Sequence, residues 1–310
     1  MDATTQPASG PVVAVVGATA AGKSALALDL AERLDGEVVN TDSMQLYRGM
    51  DIGTAKLPVD ERRGIPHHLL DVLEVSEPAT VAEFQGWARG VIADCHARGK
   101  VPVLVGGSAL YTRAVLDEFE FPGTDPDVRA RLEAELLQVG SETLHARLAE
   151  VDPAAAVAVL PSNGRRVVRA LEVVEITGRP FTASLPEQRY HYPGAVQIGV
   201  DIDRPTLDLR IEQRVELMWQ QGLVDEVRRL VGHGLREGRT ASRALGYQQV
   251  LAFLDGEISE ADAKERTITG TRRFARRQDS WFRKDARVTW TAYDDQARVE
   301  QALAAVDRVR

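Results

Sequence analysis

Eight residues, Gly17-Ala18-Thr19-Ala20-Ala21-Gly22-Lys23-Ser24, carry the first legible chemistry of this chain. Glycine, four residues, then Gly-Lys-Ser fits a loop that wraps phosphate, because the glycines let backbone N–H groups converge on phosphate oxygens. Lys23 supplies a point charge and Ser24 a hydroxyl for Mg²⁺. The loop specifies a diphosphate or triphosphate and leaves the reaction open. A carboxylate follows in Asn40-Thr41-Asp42-Ser43-Met44-Gln45. Asp42 suits a base, a Mg²⁺ contact or a helix cap, since Asp and Ser favour that last place as well. In Gly106-Gly107-Ser108, the Ser108 hydroxyl either meets a substrate or caps the next helix. Arg272, Arg273, Arg276 and Arg277 recur four apart and share one face of an expected helix, with Phe274, Trp281 and Phe282 as aromatic neighbours. Arg165, Arg166 and Arg169 form a second basic patch. Such patches suit the phosphates of a polyanion, or are solvated faces with acidic partners.

The elements that must position these groups alternate strand and helix over the first 120 residues. Pro11 to Val16 reads as a buried strand leading into the loop, and Ala25 to Ala31 as the helix after it. Such a helix start adds its dipole to the attraction for anions. Glu37 to Thr41 and Val101 to Gly107 read as further strands, with a helix from Ala79 to Arg98 between them; Ile65 to Leu73 is mixed. Continuous apolar strands separated by helices imply a parallel sheet covered on both faces. Asp42 and Ser108 then fall on the same rim as the phosphate loop, where open α/β sheets bind ligands. Many phosphate-loop enzymes carry an acidic Mg²⁺ ligand after such a strand, whereas Val101 to Val105 ends in glycine.

From about Phe121 the character changes. Pro122-Gly123 and Asp125-Pro126 break the pattern, and residues 127–177 show only helical signals, with Asp125 or Ser141 as caps and Asp152-Pro153 as another start. Val196 to Ile202 returns as a strand. Helices follow at Thr206–Gln221, Leu223–Val231, Ala241–Leu254 and Ser259–Arg283, then a strand at Val288–Thr291 and a helix from Asp294 to Arg308. The expected division is a tail at 1–10, an α/β core at 11–120 and 196–310, and a helical insertion at 121–195. The net charge of −8 gives no global reason to expect nucleic acid. A single cysteine, Cys95, excludes a disulfide framework or a zinc set and fits a reducing cytosol. Residues 1–10 lack the order of a signal peptide, and no apolar run approaches a membrane span.

Taken together, these blocks resemble the tRNA dimethylallyltransferase family, also called tRNA isopentenyltransferases, in its bacterial form. The resemblance rests on Gly17 to Ser24, Asn40 to Lys56, Ile65 to Asp71, Gly106 to Tyr111, Arg243 to Gln248 and Thr271 to Trp281, and spans about residues 11–285. The block from Asp42 to Lys56 is far more specific than the phosphate loop. Ser24 and Ser108 stand where the family more often has threonine, and both keep the hydroxyl. The zinc-finger tail of some eukaryotic relatives is missing.

The resemblance implies an α/β fold with a P-loop NTPase-like core and a helical insertion domain for tRNA. It implies transfer of the dimethylallyl group from dimethylallyl diphosphate to the exocyclic amine of the adenosine immediately 3′ of the anticodon. Gly17, Thr19, Ala20, Ala21, Gly22, Lys23 and Ser24 would hold the donor diphosphate, with Mg²⁺ on Ser24. Asp42 would be the general base, Ser108 would sit near the reacting centre and Arg214 would contact the diphosphate. Asp42, Ser43, Met44, Gln45, Arg129, Arg165, Arg166, Arg169, Arg243, Gly246, Tyr247, Gln248, Arg276 and Arg277 match tRNA-contact segments. The expected setting is a cytoplasmic monomer acting on the tRNA anticodon stem-loop, without a membrane. Three other readings remain: an adenylate isopentenyltransferase acting on free nucleotide, a P-loop small-molecule kinase, and a non-catalytic nucleotide-dependent RNA-binding protein.

Overall fold

The computed structural model describes residues 10–119, 121–181 and 188–309; the expected tail at 1–10 lies outside them except for Gly10. The chain divides into two compact units, one formed by 1–117 and 189–310 and the other by 118–188. The first unit is built on six parallel strands in the order β3-β2-β4-β1-β5-β6. These are β1 (Val12–Val16), β2 (Gly36–Asn40), β3 (His67–His68), β4 (Val101–Val105), β5 (Ala195–Asp201) and β6 (Val288–Ala292).

Every residue of β1 is buried, because successive side chains point to opposite faces and both faces are covered. Val12, Ala14 and Val16 face one layer, where Phe84, Ala88 and Ile92 of α2 (Val81–Ala97) pack with Val115 and Leu116 of α3 (Ala109–Leu116). Leu223 and Val227 of α8 (Leu223–Val231) and Val250 of α9 (Tyr247–Leu254) complete that layer. Val13 and Val15 face the other, against Leu26 and Leu30 of α1 (Lys23–Arg33) and Ala302 and Val306 of α11 (Arg298–Asp307). Cys95 is fully buried in α2, and burial pushes its thiol up to about 11, so it is a core residue without a reactive thiolate.

Two long helices complete this unit: α7 (Arg204–Gln220), with Asp203 accepting from Thr206 N, and α10 (Glu260–Phe282), opened by a reciprocal cap between Ser259 and Asp262. The sequence suggests one helix over Ala241–Leu254, but Gly246 at φ +89° separates a 3-10 turn at Ala241–Arg243 from α9. In the second unit, α4 (Pro126–Val151), α5 (Pro153–Ala158) and α6 (Gly164–Thr177) pack around Leu132, Leu144, Leu148, Val167 and Leu171. Asp125 and Asp152 cap α4 and α5, and Gly140 at φ +81° interrupts α4 just before Ser141. No helix among the described residues is long and apolar enough to cross a membrane.

Candidate active site

The carboxyl ends of β1, β2 and β4 converge on one edge of the sheet. At the end of β1 the chain turns through Gly17 (φ +132°) and Gly22 (φ +104°) before α1 begins at Lys23. The first N–H groups of α1 have no partner within the helix, an arrangement that suits an anion. Lys23 donates from Nζ to Ala18 O at 2.7 Å. By surface its side chain is half-buried, yet its ammonium lies deep among protein atoms. Burial lowers its pKa to about 8, with the Asp42 carboxylate opposing that shift and the Arg214 cation adding to it. A lysine held this way gains most from a dianionic partner.

Beyond β2, Asn40 fixes the turn that presents Asp42. Its Oδ1 accepts from Asp42 N at 2.8 Å, and its Nδ2 donates to Leu69 O at 2.9 Å. Asp42 Oδ1 accepts from Met44 N at 3.0 Å and closes a turn; no helix begins there, which corrects the helix-cap expectation. Burial raises the Asp42 pKa above the ordinary carboxylate range, against the Met44 N–H and Lys23, which lower it. A carboxylate so placed is a stronger base than a solvated one. The Ser108 hydroxyl, after β4, accepts from Ser43 N at 3.5 Å and lies 3.5 Å from the Ser43 hydroxyl, so Asp42 and Ser108 belong to one cluster.

A cavity of about 850 Å³ opens from this edge. Thr19, Asp42, Ser43, Ser108, Arg214 and Gln278 supply polar groups to its lining. Met44, Tyr111, Ile211, Val215, Met218, Leu245, Phe274 and Trp281 supply an apolar wall, and Arg243, Gln248, Arg276 and Arg277 further polar groups. Arg214 projects from α7 and reaches Thr19 Oγ1 at 3.5 Å; burial and the neighbouring Arg210 lower its pKa. The cavity thus joins the Thr19 edge of the glycine loop and the Arg214 cation to an apolar wall. That suits a ligand with an anionic head and a small hydrocarbon tail. The donor set for Mg²⁺ is sparse: Ser24, exposed in the first turn of α1, offers one hydroxyl. Mg²⁺ commonly completes its shell with substrate phosphates and water, and the site fits a metal held that way.

Other sequence-predicted contacts fall elsewhere. Gly246 and Tyr247 are buried, and Tyr247 is wholly so, its hydroxyl donating to Glu226 at 2.6 Å. Its side chain has no surface to offer RNA, which corrects the expectation of a direct contact there. Gln45 donates from Nε2 to Thr54 O at 3.0 Å and does not line the cavity. Arg272 leaves the expected arginine face to pair with Glu212 of α7 at 2.7 Å, while Arg273, Arg276 and Arg277 remain exposed. In the second unit, Arg129 and Arg169 both engage the fully buried Glu172, and Arg169 also donates to Pro122 O at 2.6 Å. Arg165 and Arg166 are exposed there.

Two residues of the site have roles that no local sequence signal marks. Gln278 of α10 accepts from Thr19 N at 2.8 Å and donates to Gly107 O at 2.9 Å, joining the phosphate loop to the end of β4. Glu226 of α8 accepts from Asp51 N, Ile52 N and Gly53 N, and so holds the segment whose Gly53, Thr54 and Ala55 line the cavity.

A family model described as IPP transferase matches residues 45–285. A tRNA dimethylallyltransferase of a Nocardioides species is 68% identical over 296 residues, covering 96% of each chain. The crystal structure of the tRNA isopentenylpyrophosphate transferase of Bacillus halodurans is similar with a TM-score of 0.72 and 39% identity, over 97% of this chain and 98% of that one. A eukaryotic dimethylallyltransferase acting on tRNA gives a TM-score of 0.82 at 26% identity, over 96% of this chain and 78% of that one.

Proposed function

The chain belongs to the IPP transferase family, and from that membership we propose that it moves the dimethylallyl group of dimethylallyl diphosphate onto tRNA. The acceptor is the exocyclic amine of the adenosine immediately 3′ of the anticodon, and diphosphate is released. The observation that carries this reading is the cavity itself, in which the Thr19 edge of the glycine loop, the Arg214 cation and Asp42 adjoin an apolar wall.

The donor's diphosphate lies on the loop N–H groups, Lys23 and Arg214, and its hydrocarbon tail on Met44, Ile211, Val215 and Met218. Mg²⁺ on Ser24 and the diphosphate oxygens would supply further charge neutralisation. Lys23 and Arg214 stabilise the diphosphate most as the allylic C–O bond breaks, when its negative charge grows. The adenine amine is a poor nucleophile because its lone pair is delocalised into the ring. As its nitrogen bonds the allylic carbon, it gives its proton to Asp42. Ser108, hydrogen-bonded within the same cluster, orients the acceptor. The base reaches this point only after leaving its stack, and Phe274, Trp281 and the guanidinium planes of Arg276 and Arg277 offer replacement surfaces. Arg243, Arg276 and Arg277 draw RNA to a chain whose net charge is −8.

An acceptor competition tests this reading. Protein, Mg²⁺ and labelled dimethylallyl diphosphate are incubated with tRNA and AMP together. Label entering tRNA with AMP left unlabelled is expected. Label entering AMP equally would favour a free-nucleotide enzyme.

A further inference from the structure

Gln278 sits where the phosphate loop meets the strand end, and both ends of its amide are committed. It is 5% exposed on the buried face of α10. Its Oε1 accepts from Thr19 N and its Nε2 donates to Gly107 O. The two partners fix the amide's orientation, since only the oxygen can face an N–H and only the nitrogen a carbonyl. The fit is close: a Cβ on Gly107 would stand 2.1 Å from Gln278 Nε2.

Phosphate loops bind through their backbone N–H groups. The donors next to α1, at Gly22, Lys23 and Ser24, act with the helix dipole on the first phosphates. Thr19 belongs to the strand side of the loop, toward which a longer phosphate chain would extend. Its N–H is already taken, and the group that takes it is a carbonyl oxygen, which carries partial negative charge and repels phosphate oxygens. The same cavity is lined by apolar Ile211, Val215 and Phe274.

We infer that Gln278 is a specificity-determining residue: by occupying the Thr19 N–H it closes the loop to a third phosphate, so the site takes a diphosphate ester and refuses a triphosphate. The same bridge leaves neither the Thr19 N–H nor the Gly107 carbonyl unpaired beside the apolar chamber. This inference rests on the diphosphate-donor reading above.

The test measures displacement of dimethylallyl diphosphate from the full-length protein by pyrophosphate and by tripolyphosphate, with Mg²⁺ present and tRNA absent. The wild type is expected to favour pyrophosphate. In Gln278→Ala the freed Thr19 N–H donates to a charged phosphate oxygen, and the preference should fall by about tenfold or more. Gln278→Met, similar in length and without amide atoms, should do the same if the alanine variant fails to fold. Gln278→Glu keeps an acceptor at Thr19 and adds a negative charge, so its preference should move the other way. A purely structural role would weaken both anions together and leave their ratio unchanged. An unchanged ratio in Gln278→Ala or Gln278→Met, with dimethylallyl diphosphate still bound, overturns the inference. A wild type that binds neither dimethylallyl diphosphate nor pyrophosphate overturns the donor reading itself.

Discussion

Replacing Glu226 by glutamine removes one oxygen's charge and nothing of its shape, yet it should loosen the site from behind. Glu226 is 3% exposed and accepts four hydrogen bonds: from Asp51 N at 3.1 Å and Ile52 N at 2.8 Å on one oxygen, and from Gly53 N at 3.2 Å and Tyr247 Oη at 2.6 Å on the other. Glutamine offers a single acceptor oxygen. With that oxygen kept on Asp51 and Ile52, its amide nitrogen faces Gly53 N–H, donor against donor. Tyr247 can rotate its hydroxyl to accept from the amide, so one bond is lost outright and the other three lose their charge assistance. A hydrogen bond to a charged group contributes about 1.5–3 kcal/mol and a neutral one about 1 kcal/mol. Relief of a buried charge offsets part of the loss. Glu226→Gln should therefore destabilise the first unit by about 2–3 kcal/mol. All four tryptophans, Trp87, Trp219, Trp281 and Trp290, lie in that unit, so urea unfolding followed by tryptophan fluorescence reads it directly. Gly53 has no room to adjust, since a Cβ there would meet the Tyr247 ring at 2.4 Å. The KM for tRNA should accordingly rise more than that for the donor, whose phosphate loop is untouched. A stability within about 0.5 kcal/mol of wild type, where typical surface substitutions fall, would refute this account of what holds residues 51–53.

Three further outcomes are expected. Asp42→Asn should lower the single-turnover rate by about a hundred- to ten-thousandfold while tRNA affinity holds; a near-normal rate would reduce Asp42 to a turn-closing group through its bond to Met44 N. Burial lowers the Lys23 pKa to about 8, and its protonated form binds the diphosphate, so the donor KM should stay flat below about pH 8 and rise above it; a profile flat well past that pH would remove its charge from donor binding. Arg276→Ala with Arg277→Ala should weaken stem-loop binding and flatten its salt dependence by about 0.7–0.9 in slope for each lost phosphate contact; an unchanged slope would place RNA elsewhere.

The parts of the site that were legible in the sequence are those with local signals. β1, the phosphate loop and α1 are contiguous, so an apolar run, glycine spacing and a helix start suffice to find them. Thr19, Asp42 and Ser108 lie in motif blocks, Arg214 follows from the family resemblance, and all four line one cavity. Gln278 and Glu226 were not, because their partners lie 259 and about 175 residues away along the chain. Gln278 lies inside the Thr271 to Trp281 block, but block membership does not tell a residue that bridges loop and strand from any other polar residue of a basic helix. The arginine face was read from periodicity alone, which cannot show that Glu212 on a different helix draws Arg272 aside. Tyr247 lay inside a recognisable block, but block membership does not separate a side chain that meets RNA from one that supports the residues that do. The two-residue strand β3, His67–His68, is too short for any alternation to appear, and only its pairing with Val38 and Val39 defines it.

The central claim is that this cavity joins a five-carbon allylic group to one adenosine of tRNA. Nucleoside mass spectrometry of tRNA incubated with the protein, Mg²⁺ and dimethylallyl diphosphate tests it most directly. The account predicts one dimethylallyl addition per tRNA, on the adenosine immediately 3′ of the anticodon, absent when dimethylallyl diphosphate is replaced by ATP. Unmodified tRNA in a reaction that consumes the donor, or phosphate moved from ATP to an acceptor, would contradict it.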